Sequence, residues 1–148
     1  MCAAGRDLYG PTMKSPWKQV RPFEAGARYV ALASHIPPKR RASTWRLFKG
    51  SRAVTKQLTQ TEGVVGFSLL ARPLKKEYAT ISMWIDDEAL AAFARSAPHA
   101  ELRSELASEM APTTFVRWEV AATDGVPTWR EVLQRLSSAS TTTPSAPR

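Results

Sequence analysis

The chain has 148 residues, of which 43% are hydrophobic and 23% are charged. This length predicts one domain with a single core, and the proportions are ordinary for a globular protein. The longest apolar run, residues 89–94, is too short to cross a bilayer, so we expect no integral membrane segment. The single cysteine, Cys2, excludes an intramolecular disulfide and a cysteine-rich zinc site. Because residues 1–10 lack the apolar core of a signal peptide, we expect a cytoplasmic protein.

The net charge of +8 is concentrated in one stretch of the chain. No acid occurs between Glu24 and Glu62. That interval contains the bases Arg28, Lys39, Arg40, Arg41, Arg46, Lys49, Arg52 and Lys56. A solvated face is the ordinary interpretation, and the alternatives for residues 39–56 are an anionic ligand, an anionic membrane surface or RNA. Only Trp45 and Phe48 are aromatic there, so we do not expect a nucleic-acid partner.

Four segments have the composition or the alternation of β-strands. They are residues 28–34, 64–71, 77–85 and 113–121. The clearest is 77–85, in which Tyr78, Thr80, Ser82 and Trp84 share one face. We interpret residues 1–25 as an irregular arm, 26–136 as the folded domain, and 137–148 as a disordered tail rich in Ser, Thr and Pro.

Three helices are predicted between and after these strands. The first is capped by Ser43 or Thr44 and runs to about residue 59. The second begins at Asp86, restarts at Pro98 and ends before Pro112. Thr128, followed three positions later by glutamate, predicts a short C-terminal helix over 129–136.

The resulting β-α-β-β-α-β order is the ferredoxin-like arrangement, an α+β fold with a four-stranded antiparallel sheet and an extra short C-terminal helix. In that arrangement both main helices lie on one face of the sheet. We expect the aromatic face carrying Tyr78, Thr80, Ser82 and Trp84 to be left open, and a second copy to cover it in a homodimer.

A short motif extends this interpretation. Thr80-x-Ser82-x-Trp84 is followed by an acidic helix start at Asp86 and by Ser-Ala-Pro-His at 96–99. Residues 63–67, Arg117-Trp118 and Pro127-Thr128 belong to the same pattern. Over residues 28–136 the chain resembles the antibiotic-biosynthesis-monooxygenase-like group of the dimeric α+β barrel superfamily, in an uncharacterised bacterial branch. The resemblance implies the fold more strongly than the chemistry, because members include oxygenases, haem enzymes, isomerases and ligand binders.

The resemblance also bears on cofactors. Haem-degrading members use an Asn on the first strand, a Trp about nine positions after the strand-ending Trp, and a His about ten further on. The corresponding positions here are Phe93 and Arg103, and the first strand has no Asn. We therefore expect no cofactor. His35 and His99 lie at opposite ends of strands without a carboxylate at ligand spacing, so we expect no metal site.

The candidate site residues are drawn from the motif and from its faces. His99 is the candidate catalytic acid or base, the alternative being a helix-start histidine held by the backbone. The substrate-binding candidates are Trp84, Phe67, Ser82, Thr80, Phe93 and Arg117. The aromatic members are otherwise core residues, and Arg117 would otherwise form an ion pair on the surface or across a dimer.

Together these observations favour a cofactor-independent monooxygenase or related oxidoreductase. Its substrate would be a small aromatic or polyketide-like molecule in an apolar cavity, oxidised through its own carbanion. Two alternatives stay open. One is a non-catalytic module of the same fold that binds a small apolar molecule or haem. The other is a peripheral protein that binds anionic surfaces through residues 39–56.

Overall fold

The computed structural model describes residues 12–72, 75–96 and 99–141. Its strands are β1 (Met13–Lys14), β2 (Lys18–Gln19), β3 (Arg28–His35), β4 (Val64–Arg72), β5 (Glu77–Trp84) and β6 (Thr114–Ala121). Its helices are α1 (Arg41–Thr59), α2 (Asp87–Arg95), α3 (His99–Leu106) and α4 (Trp129–Thr141).

The sheet is antiparallel, and its four long strands lie in the order β4-β5-β3-β6. This is the ferredoxin-like α+β fold that the sequence predicts. The sheet has two more strands than expected, because β1 and β2 both pair with the outer edge of β4. They come from residues expected to be irregular. Each has two residues, which is too short for any alternation to be visible in the sequence.

The register of the long strands defines the two faces of the sheet. Leu32 lies opposite Ser82, and Ser34 lies opposite Thr80, so these four side chains share one face. Helices α1, α2 and α3 pack on that face, where Tyr78 and Trp84 are only 2% and 1% exposed. The prediction that this face is left open for a second copy is therefore wrong. The alternation was identified correctly, but it did not indicate which face the helices cover.

The opposite face of the sheet is covered by α4 and by the N-terminal arm. Its core includes Ala31, Met83 and Val132, all of which have no exposed surface. Trp17 and Phe23 of the arm pack against the same cluster. The described part of the chain thus covers both faces of its own sheet, and the homodimer stays a prediction.

The arm and the C-terminal helix are held on this face by specific contacts. The Trp129 indole N–H donates to the hydroxyl of Ser68 at 3.1 Å. The Ser68 hydroxyl in turn donates to the carbonyl of Ser15 at 2.7 Å. At Gly66, an added Cβ would lie 2.4 Å from the ring of Trp17, so the indole sits directly on the strand backbone.

The helix ends agree with the sequence in two places and differ in a third. The Asp86 side chain caps α2 by accepting from the backbone N–H of Ala89 at 2.8 Å. Thr128 caps α4, which continues to Thr141 rather than ending at residue 136. Helix α1 begins at Arg41 and is not capped by Ser43, whose buried hydroxyl donates to Glu109 instead.

Candidate functional site

A cavity of about 510 Å³ lies between the helix-covered face of the sheet and helices α1, α2 and α3. Side chains from β3, β4 and β5 form its floor, and side chains from the three helices form its roof. Most of the lining is aliphatic or aromatic. This size and this composition are typical of sites for small organic molecules.

A row of three rings crosses the cavity from the sheet to α3. The Trp84 and Phe93 rings lie with their centroids 5.2 Å apart, and the Phe93 and His99 rings lie 4.8 Å apart. Trp84 ends β5, Phe93 is the buried residue of α2, and His99 begins α3. Neighbouring rings in the row are tilted by 40°, and the row places an aromatic wall beside a single imidazole.

His99 is held from two sides. Its backbone N–H donates to the Gln57 side chain of α1 at 3.0 Å. Its ring Nδ1 lies 3.3 Å from the carbonyl oxygen of Ala94, which can only accept, so the bond requires the proton on Nδ1. In this tautomer Nε2 is left as an acceptor. Burial lowers the pKa of His99, and the nearby Arg103 lowers it further against the opposing bond to Ala94. The imidazole is therefore mainly neutral at pH 7.

The cavity also holds a few hydroxyl groups. Ser34 and Thr80 are hydrogen-bonded to each other across β3 and β5. The Ser82 hydroxyl accepts from the Trp84 indole N–H at 2.8 Å, which fixes the indole ring. The Tyr78 phenol contacts Ser51, and burial raises the pKa of Tyr78 to about 12. The phenol is consequently a neutral donor and acceptor throughout the physiological range.

Six of the seven predicted site residues line this cavity: His99, Trp84, Phe67, Ser82, Thr80 and Phe93. The seventh, Arg117, does not line it. Arg117 lies on the edge strand β6, and its guanidinium pairs with Asp87 at 2.9 Å, with both side chains more than half exposed. The roles of all seven in binding and catalysis stay predictions.

Several further polar groups of the cavity were missed in the sequence, among them Ser51, Thr55 and Arg103. Ser51 and Thr55 lie on the side of α1 that faces the cavity. They belong to residues 39–56, which were interpreted from the sequence only by their basic side chains. Arg103 lies one helical turn after His99, on the side of α3 that faces the cavity margin. The four-residue spacing on a predicted helix could have indicated that Arg103 lies beside His99.

The basic stretch lies mostly on the outer side of α1. Arg46 pairs with Glu109 at 2.6 Å, and Arg40 approaches the same carboxylate at 4.0 Å. Lys49, Arg52 and Lys56 are exposed. The hypothesis of an anionic surface partner stays a prediction. Within residues 12–72, 75–96 and 99–141, no three His, Cys, Asp or Glu side chains are grouped as a metal site, and none of the helices described there could cross a membrane.

Solved structures with this fold include several that are described as monooxygenases. A "putative monooxygenase" from Fusobacterium nucleatum aligns with a TM-score of 0.60 at 11% identity, covering 68% of this chain and 46% of that one. One from Lactobacillus acidophilus has a TM-score of 0.57 at 14% identity, covering 68% and 48%. This chain therefore matches about half the length of these two proteins.

Two shorter proteins match over nearly their whole length. A "putative antibiotic biosynthesis monooxygenase" from Nitrosomonas europaea aligns with a TM-score of 0.54 at 18% identity, covering 65% of this chain and 92% of that one. A dimeric ferredoxin-like protein of unknown function from Jannaschia has a TM-score of 0.54 at 14% identity, covering 62% and 99%. These likenesses confirm the fold of the antibiotic-biosynthesis-monooxygenase-like group.

The family follows from the sequence rather than from the fold. A model described as a domain of unknown function, DUF3291, matches residues 33–148, and the chain belongs to that family. No curated protein matches the chain.

Proposed function

We propose that this chain is a cofactor-independent monooxygenase that oxidises a small aromatic or polyketide-like molecule in the cavity. The observation that carries the proposal is the cavity itself, which combines an apolar volume of about 510 Å³ with one neutral imidazole, that of His99. The monooxygenase names of proteins with this fold support the same reaction class.

His99 is suited to act as the base. Its Nδ1 proton is engaged by Ala94, so Nε2 is the nitrogen able to accept a substrate proton. A base with a pKa below its ordinary value stays unprotonated at neutral pH and is ready to accept a proton. Contact with the Phe93 ring keeps the imidazole beside the aromatic wall against which an aromatic substrate would pack.

The reaction balances with molecular oxygen as the only co-reactant. Nε2 removes a proton from an acidic methylene of the substrate, and the carbanion gives one electron to O₂. The carbon radical and superoxide combine, and the imidazolium returns its proton to the peroxide. Loss of water then breaks the O–O bond and leaves a carbonyl group. The methylene has become C=O, one oxygen atom is in the product and the other is in water.

The hydroxyl of Ser82 is the candidate donor to the substrate oxygen. It accepts from the Trp84 indole, and no described group accepts its own proton. A donor placed beside the aromatic wall would stabilise negative charge that spreads from the carbanion onto a ring oxygen. Thr80 is less available for this role because it is paired with Ser34.

Oxygen consumption tests the proposal. The purified chain is mixed with polycyclic phenols that carry an acidic methylene, and an oxygen electrode and ¹⁸O₂ labelling follow the reaction. We expect one O₂ consumed per carbonyl formed and one labelled oxygen in the product. His99→Ala should lower the rate by about 10²–10⁴-fold at saturating substrate. His35→Ala is the matched control, because His35 lies opposite Ala79 on the other face of the sheet.

Two outcomes would contradict the proposal. Phenols that bind without consuming oxygen would favour the non-catalytic module. A His99→Ala protein with an unchanged rate per folded molecule and a lowered melting temperature would make His99 a structural residue. The melting temperature is therefore measured with each rate.

A further inference from the structure

The described lining of the cavity includes one charged side chain. Among the described lining residues, Arg103 alone carries a full charge at neutral pH, and no carboxylate lines the cavity. Nor does any described carboxylate lie within ion-pair distance of Arg103. The apolar volume therefore has a cationic margin whose counter-ion is not supplied by the described part of the chain.

The position of Arg103 fixes where an anion would bind. Arg103 follows His99 by one turn of α3, so both side chains project from the same side of the helix. Arg103 is exposed, whereas Trp84 and Phe93 at the inner end of the row are buried. A permanently charged group bound at Arg103 can keep part of its hydration while an attached apolar body enters the cavity.

We infer that the ligand of this cavity is an amphipathic carboxylate, an aromatic or alicyclic acid whose carboxylate pairs with Arg103 at the margin. Its apolar body lies against the rings of Trp84, Phe93 and His99. The inference rests on the proposed function only in using the same cavity as a ligand site. It specifies the substrate class and a specificity residue, and it does not require the oxidation step. A single guanidinium balances the charge of a monocarboxylate and can bind it through two parallel hydrogen bonds.

This assignment replaces the role considered for Arg117 in the sequence. Arg117 is already paired with Asp87 and lies outside the lining. In the resemblance to haem-degrading proteins, Arg103 stands at the position where those proteins have a histidine, so this chain carries a cation there.

Matched pairs of probes test the inference. The pairs are benzoate and benzamide, 2-naphthoate and 2-naphthamide, and anthracene-2-carboxylate and its amide, each titrated by calorimetry at low salt. We expect at least one carboxylate to bind about 5- to 10-fold more tightly than its amide, a modest factor because Arg103 is solvent-exposed. Arg103→Gln should remove this preference, and Arg103→Lys should keep part of it. Arg95→Gln, which changes an exposed cation of α2 outside the lining, should leave it intact.

The outcomes separate this inference from the proposed function. Carboxylates and amides that bind equally well, or a preference that survives in Arg103→Gln, would overturn the inference and leave the cavity as a ligand site. Failure of all six probes to bind would overturn the inference alone, because oxygen consumption with the polycyclic phenols tests the monooxygenase separately. Binding with the expected preference but without oxygen consumption by related phenolic acids would support the inference and refute the monooxygenase.

Discussion

The contact between Gly66 and Trp17 gives a quantitative test of how the arm covers the sheet. A Cβ at residue 66 would lie 2.4 Å and 2.5 Å from two carbons of the Trp17 indole, distances that real Cβ contacts do not show. Gly66→Ala must therefore displace the ring. Overpacking of this kind costs about 1–3 kcal/mol. Alanine in a strand otherwise gains about 0.5–1 kcal/mol over glycine, so we expect a net loss of about 1–2 kcal/mol.

Removing the indole should reverse the sign of that effect. Trp17→Ala alone should cost about 2 kcal/mol, roughly half the value for a fully buried tryptophan, because Trp17 is only partly buried. In the Trp17→Ala background, Gly66→Ala should be neutral or stabilising. The double-mutant cycle then yields a coupling energy of about 1–3 kcal/mol.

Urea unfolding followed by far-ultraviolet circular dichroism measures the cycle, since this signal does not depend on tryptophan fluorescence. Trp45→Ala is the control, because Trp45 lies on α1, which covers the opposite face of the sheet, so its effect should add to that of Gly66→Ala within about 0.5 kcal/mol. If Gly66→Ala has the same effect with and without Trp17, the arm does not lie on β4 in solution and the reasoning fails.

Two further predictions concern buried titratable groups of the cavity. Burial raises the pKa of Tyr78 from 10 to about 12 in the folded protein. The free energy of unfolding should therefore fall by roughly 2–3 kcal/mol as pH rises from 10 to 12. Urea titrations should show a smaller fall in the stability of Tyr78→Phe over the same pH range. Burial lowers the pKa of His99 below 6.5 in the folded protein. As pH drops below 6.5, the unfolded chain takes up a proton at His99 more readily than the folded protein does, so the free energy of unfolding should fall. This fall should be smaller in His99→Gln. An equal pH dependence in the wild type and in either variant would contradict the corresponding burial.

Most of the fold could be predicted because its long elements carry strong local signals. The alternation along β5 and the capping residues Asp86 and Thr128 are properties of adjacent residues, and all three are confirmed. The errors arose where long-range contacts decide. Ser43 looks like a helix cap, but its hydroxyl donates to Glu109, which is 66 residues away. Strands β1 and β2 exist only because β4 offers an open edge.

The candidate site was predictable to the extent that its residues follow the strand period. Thr80, Ser82 and Trp84 were assigned together because they share a face, and they do line one cavity. Arg117 shares the helix-covered face of the sheet, since it lies opposite Leu32. Its strand is at the sheet edge, however, and there its side chain reaches Asp87 instead of the cavity. Face membership follows from the sequence, whereas distance from the cavity depends on strand order.

The covering of both sheet faces changes the argument for a dimer. An uncovered aromatic face was the reason to expect a second copy, and the face in question packs against α1, α2 and α3 of the same chain.

Among the described residues, the large apolar side chains that stay exposed are Trp45, Ile85 and Phe115. Phe115 is 45% exposed and also lines the cavity, so it belongs to the margin through which a ligand would enter. An exposed phenylalanine at that margin is explained by contact with an amphipathic ligand as well as by contact with another subunit.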